Sequence, residues 1–247
     1  MPFTFAHPAV VLPFRLFPRR WVSWTGLIIG SLTPDFEGFI HLGGPKVVSH
    51  SWAGMFWWDL PVGLALCFIF HLLFRDLLID QLPGFLRRRV VQYRRFDWLG
   101  YVRKNAPVFL ISLLLGIASH LLLDRLTHTD TYRYDERLGL ELGWEESIVV
   151  RQWLQFGCSF LGMALLGWQI ASLPARPVYF NRRFWKPFWF IVVFCMILTV
   201  FLRYQFAGYN EGVFFHALIA GMLVGVVVAS GLFHAFKTRR SDAQQSR

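Results

Sequence analysis

The chain has 247 residues, of which 55% are hydrophobic and 16% charged, with 26 Phe and 11 Trp. A mean hydropathy of +0.44 excludes an ordinary soluble domain and points to an integral membrane protein. The formal charge of +10 would suit a nucleic-acid partner, but in a membrane protein it reports basic cytoplasmic loops, so no nucleic acid is expected.

In chain order the elements predict an all-α fold: a polytopic transmembrane helical bundle of about five full spans plus a short N-terminal hydrophobic hairpin. The first apolar run, HPAVVLPFRLF, and the second, WVSWTGLIIGSL at 21–32, are each too short to cross a bilayer alone. Together they suit a hairpin dipping into the membrane with FPRRW at its turn. Arg19 and Arg20 give the second run the look of a signal peptide, but no small-residue cleavage site follows, so it is expected to stay in the mature chain. Full spans are expected at 52–74, 106–123, 153–173, 184–202 and 213–236. No internal repeat is visible. Residues 1–237 read as a single integral membrane domain, with the motifs in 1–130, accessory spans in 151–237 and a disordered tail at 238–247. Cys67, Cys158 and Cys195 lie in apolar stretches without CxxC spacing, which argues against a disulfide framework or a thiolate zinc site.

The connecting segments alternate in charge. Arg87, Arg88, Arg89, Arg94, Arg95, Arg103 and Lys104 outnumber Asp76, Asp80 and Asp97 in 75–105, and Arg176, Arg182, Arg183 and Lys186 stand without an acid in 174–186. The segment 124–151 instead carries Asp130, Asp135, Glu136, Glu141, Glu145 and Glu146. Basic segments stay in the cytoplasm, so the C-terminus is expected inside and the acidic segment outside. That topology gathers His41, His50, His120, His128 and His216 at the outer face together with His7, and leaves His71 and His234 near the cytoplasm.

SHLLLDRLTH, at 119–128, carries the strongest chemical signal. Residues four apart share a helix face, so His120 and Asp124 can grip one ion together. His128 lies roughly 12 Å from His120 by helical rise; either the helix breaks near Thr127 or Asp124 bridges two ions. TPDFEGFIH supplies Asp35 with Glu37 and His41, and VVSHSWAG supplies His50. Asp59 in WWDLP is an intramembrane acid, a functional candidate by default, and Pro61 frees a backbone carbonyl one turn earlier. Each feature alone is ordinary: a boundary histidine is usually interfacial, PD usually stops a helix, and HxxxD is common. Their gathering at the ends of three apolar segments favours a metal site of imidazole and carboxylate, suited to zinc, iron, nickel or manganese. Two other readings stay open: a cation or proton transporter relaying through Asp59, His50 and Asp124, and a non-catalytic membrane scaffold. The GxSxG, P-loop and GxGxxG patterns are absent from the sequence.

MPFTFAHPAVVLP, GSLTPDF, SHSWAG with WWDLP, and SHLLLDRLTH together resemble a bacterial family of polytopic membrane proteins described as a domain of unknown function, over the chain as far as about His128. Their order is also similar to that of the predicted membrane-bound metal-dependent hydrolases and, in motif order, to zinc-dependent phospholipase C and P1-type nucleases. The resemblance implies His7, Asp35, His50, His120 and Asp124 as ligands, with His128 as a further one at shorter spacing than the nucleases use. The N-terminal Trp that completes the soluble enzymes' site has no counterpart here, which implies one or two divalent ions, zinc foremost. The implied chemistry is hydrolysis. A metal-bound water attacks, a second ion or Arg125 holds the charge developing on a phosphoryl oxygen, and Asp59 or Glu37 orients the water. The implied setting is the bacterial cytoplasmic membrane, with membrane lipids as partners and a lipid-like or amphiphilic phosphoester as substrate.

Overall fold

A bilayer offers the backbone no hydrogen-bond partners, so long apolar runs must satisfy themselves as helices. The computed structural model describes residues 3–43, 48–127, 144–178, 184–208 and 211–245, and the regular structure among them is helical throughout. Short 3-10 turns at Thr4–Ala9 and Leu12–Leu16 lead into α1 (Trp24–Leu32), a 3-10 turn at Thr33–Asp35, and α2 (Phe36–Ile40). Then follow α3 (Met55–Gln81), α4 (Gly84–Val90), α5 (Trp98–Thr127), α6 (Trp144–Ala171), α7 (Trp185–Ala207) and α8 (Glu211–Gln245).

Five helices are long and apolar enough to cross a membrane: Met55–Gln81, Trp98–Thr127, Gln152–Ala171, Trp185–Phe206 and Val213–Ala235. The five expected spans all appear, and the helices that carry them run past the apolar windows. α3 continues through RDLLIDQ, and α5 begins at Trp98, ahead of Pro107. Pro107 donates no hydrogen bond and crowds the preceding turn. The helix absorbs this at Asn105, whose backbone is non-helical while its side-chain amide donates to the Tyr101 carbonyl at 3.0 Å. The helices' outward faces are apolar: Phe160 is 79% exposed and Phe206 85%, as lipid-facing side chains are. The expected N-terminal hairpin takes the form of two 3-10 turns and α1, whose 9 residues reach about 13 Å, under half the hydrocarbon thickness.

The chain divides into two compact units: Met1–Asp35, Val47–Cys67 and Leu99–Ser172 in the first, and Phe36–Lys46, Phe68–Trp98 and Leu173–Arg247 in the second. The first is built on a close contact of α1 with α5, which run in the same direction. A β-carbon at Gly26 would lie 2.8 Å from the Phe109 carbonyl oxygen, and those at Gly30 and Gly116 would collide with the Leu113 and Leu27 carbonyls. Small residues thus let the two backbones touch, as in membrane helix pairs generally. The Ser23 amide donates to Ser112 Oγ at 2.8 Å along the same seam. Gly63 of α3 packs on Thr33 and Leu113, and Gly162 of α6 on Ala6. The Phe3 amide donates to Ser159 Oγ at 2.8 Å, and Arg15 to Gln169 at 2.8 Å, so α6 clamps the N-terminal turns.

In the second unit α7 and α8 form a pair around Phe188, Val192, Val226 and Ala229, with Gly221 and Gly225 against Met196 and Val192. Arg75 is buried, giving Nε to Asp76 at 2.7 Å and Nη1 to the Phe96 carbonyl at 2.9 Å, while His71 stacks on Trp98 at 4.2 Å.

Candidate metal centre

Four segments of the first unit bring polar side chains to one buried place. The 3-10 turn Thr4–Ala9 supplies His7, the TPD turn after α1 supplies Asp35, the segment ahead of α3 supplies His50, and α5 supplies His120 and Asp124. The glycine seam explains the last pair. Ser112, Gly116, His120 and Asp124 recur every four residues on one face of α5, so the stripe that touches α1 ends by pointing His120 and Asp124 at the TPD turn.

The distances are those of a converging site. His7 Nε2 lies 3.2 Å from Asp124 Oδ1. His50 Nε2 and His120 Nε2 lie 3.2 and 3.3 Å from Asp124 Oδ2. The same two nitrogens are 3.8 and 3.9 Å from Asp35 Oδ1. The His7 and His120 rings stack at 3.9 Å, and His50 meets His120 edge-on at 5.5 Å. His7, Asp35 and His120 form one group able to hold a metal ion, and His50, His120 and Asp124 a second, sharing His120.

Outer partners orient the rings. His120 Nδ1 donates to the Ser31 carbonyl at 2.8 Å, and His7 Nδ1 to the Thr4 carbonyl at 3.2 Å. With Nδ1 committed to a carbonyl, a neutral imidazole carries its lone pair on Nε2. Ser49 Oγ holds Nδ1 of His50 at 2.8 Å. Thr4 Oγ1 donates to Asp35 Oδ2 at 2.5 Å, which leaves Oδ1 toward the histidines. His7 Nε2 is within hydrogen-bonding distance of Asp124 Oδ1 at 3.2 Å, and neutral Nε2 lone pairs facing carboxylate oxygens repel unless a proton or a metal ion stands between them. Buried polar groups also need partners, and the buried Nε2 atoms of His50 and His120 make no hydrogen bond. Ligating imidazoles are usually fixed in this way, the far nitrogen held by a carbonyl or hydroxyl of the outer shell. The donors present therefore fit a metal ion.

The structure thus gathers His7, Asp35, His50, His120 and Asp124. His128 lies outside the described residues. Asp59 is fully buried in a π-helical turn, Met55–Asp59, that packs against the TPD turn. Glu37 is buried on α2 in the second unit. Arg125 is exposed, its guanidinium 5.3 Å over the Trp52 ring. His41 is exposed beyond α2, and His216 sits 5.9 Å from the Phe39 ring, both in the second unit. Sequence reasoning did not single out Thr4, Ser31 or Ser49. Thr4 and Ser49 lie inside quoted motifs as hydroxyl residues within three positions of a histidine, a weak signal; Ser31 acts through its carbonyl, which no side-chain pattern reveals.

Fold and site together define a class: a multi-pass membrane protein with a buried His/Asp cluster that can hold a metal ion. A family model described as a domain of unknown function (DUF4184) matches residues 1–233, and the chain belongs to that family. The match runs through the later spans as well as the motif-bearing part. No curated protein and no solved structure matches the chain.

Proposed function

We propose that this protein is a membrane-bound metal-dependent hydrolase, with zinc at the His/Asp cluster and a phosphoester or lipid-like substrate at the extracytoplasmic face. The observation that carries the proposal is the convergence of three Nε2 atoms on two carboxylates, with Nδ1 engaged elsewhere in each ring. Zinc bonds of about 2.0–2.1 Å in a tetrahedron place donors roughly 3.3–3.4 Å apart. His50, His120, Asp124 and Asp35 present donor pairs at 3.2, 3.3, 3.8 and 3.9 Å, close to that figure. The absence of thiolate from the cluster agrees with a nitrogen and oxygen site.

Bound zinc supplies a water whose pKa is lowered toward neutrality, hence a hydroxide nucleophile. The chain's own residues do the rest. Asp35 and Asp124 offset the cation's charge, and His50, the most accessible ligand, borders the side from which substrate arrives. We assign the orienting of that water to Asp59, whose burial beside the TPD turn supports the role. The basic segments 75–105 and 174–186 and the acidic segment 124–151 support an outward-facing site in the cytoplasmic membrane.

Metal analysis of the purified, detergent-solubilised protein tests the reading. Wild type is expected to carry stoichiometric zinc, lost in His120→Ala and Asp124→Ala and kept in His41→Ala. A wild type without a transition metal, or variants that keep theirs, overturns it.

A further inference from the structure

We infer that the centre is loaded from the bilayer, with Arg125 and Trp52 forming a ledge that holds the phosphate of a lipid beside His50. The inference rests on the metal-site reading above. The side chains of His7, Asp35 and His120 are at most 1% exposed and that of Asp124 9%, whereas His50 is 24% exposed. Approach to the cluster therefore runs along His50.

Two residues further on, Trp52 is 42% exposed and lies under the Arg125 guanidinium, 5.3 Å from its ring centroid. Arg125 directly follows Asp124, so this cation–aromatic pair joins the neighbours of two ligands at the open edge. A guanidinium over a ring face can still turn the N–H edge of its planar fork to a phosphate. The same two segments carry exposed apolar side chains: Leu126 is 71% exposed and Leu122 52% on α5, and Trp57 84% on α3. A soluble phosphate would leave those side chains without a partner. A lipid fills both halves, its acyl chains along the leucines and Trp57 and its phosphate on Arg125. Indole at the headgroup level is the position tryptophan favours in membranes. Arg125 is thus a positioning residue for the substrate.

The test uses the full chain, loaded with zinc, in nanodiscs of phosphatidylcholine containing phosphatidic acid. After extraction into mild detergent, retained lipid is counted by native mass spectrometry and zinc is measured on the same samples. Wild type is expected to retain phosphatidic acid over phosphatidylcholine, and excess inorganic phosphate is expected not to displace it. Arg125→Gln should lower that retention about ten-fold or more, the usual weight of a charge-assisted phosphate contact. Arg125→Lys should recover part of it, since charge returns without the planar fork. Zinc should be unchanged in both variants. If Arg125→Gln retains phosphatidic acid like wild type, or inorganic phosphate displaces the lipid, while zinc stays stoichiometric, this inference alone is overturned. If wild type holds no zinc, the metal-site reading fails and takes the inference with it.

Discussion

Gly30→Ala tests whether the contact of α1 with α5 sets the geometry of the cluster. The added β-carbon would collide with the Leu113 carbonyl oxygen and lie 3.0 Å from the Ile117 amide nitrogen and 3.1 Å from Gly116 Cα. These are backbone atoms, so no side chain can swing aside. The helices must part by about 1 Å to restore ordinary contact. Ser31 moves with Gly30. Its carbonyl accepts from His120 Nδ1 at 2.8 Å, and the same displacement stretches that bond to about 3.8 Å, beyond hydrogen-bonding range. Loss of an outer-shell partner lowers metal affinity by about 10–100-fold, or roughly 1.4–2.7 kcal/mol. The overpacking itself costs about 1–3 kcal/mol of stability. Zinc affinity is read by competition with a chromophoric chelator, and stability by thermal unfolding of the same detergent sample. Gly167→Ala on α6 is the control, because a β-carbon there meets nothing within 4 Å. A Gly30→Ala protein that binds zinc and melts like the Gly167→Ala control would refute the reasoning.

Thr4→Val keeps shape but removes the donor to Asp35 Oδ2. Zinc affinity is expected to fall about ten-fold, and Thr4→Ser to restore it, both read by the same competition assay. Stripping the metal with a chelator should lower Tm, since an ion at the proposed centre would tie four separate segments and balance two buried carboxylates. Zinc restored at 100 times its Kd should add about 2.7 kcal/mol; a Tm indifferent to both treatments counts against an ion that holds those segments together.

Much of the site's composition was legible in SHLLLDRLTH, because a four-residue spacing on a helix puts two side chains on one face whatever surrounds them. His120 and Asp124 do lie 3.3 Å apart. Asp35 and His50 stood locally only as polar residues at the ends of apolar runs; the motif resemblance, not their own pattern, separated them from Glu37 and His41, which lie in the other unit. Arg125 was expected to hold charge on the substrate because it neighbours Asp124. A helix turns by 100° per residue, so that side chain leaves α5 in a different direction from Asp124; only the tertiary structure shows it over Trp52, in the segment that also carries His50.

What the sequence settled by itself was the helical, multi-pass character and the location of the spans. Those follow from a bilayer's refusal to solvate peptide groups, a constraint that acts on each segment separately. Only the tertiary structure decided which histidines and carboxylates meet. That outcome depends on how closely two backbones approach, here through Gly26, Gly30 and Gly116, and a β-carbon's absence becomes informative only once the atoms it would have struck are known.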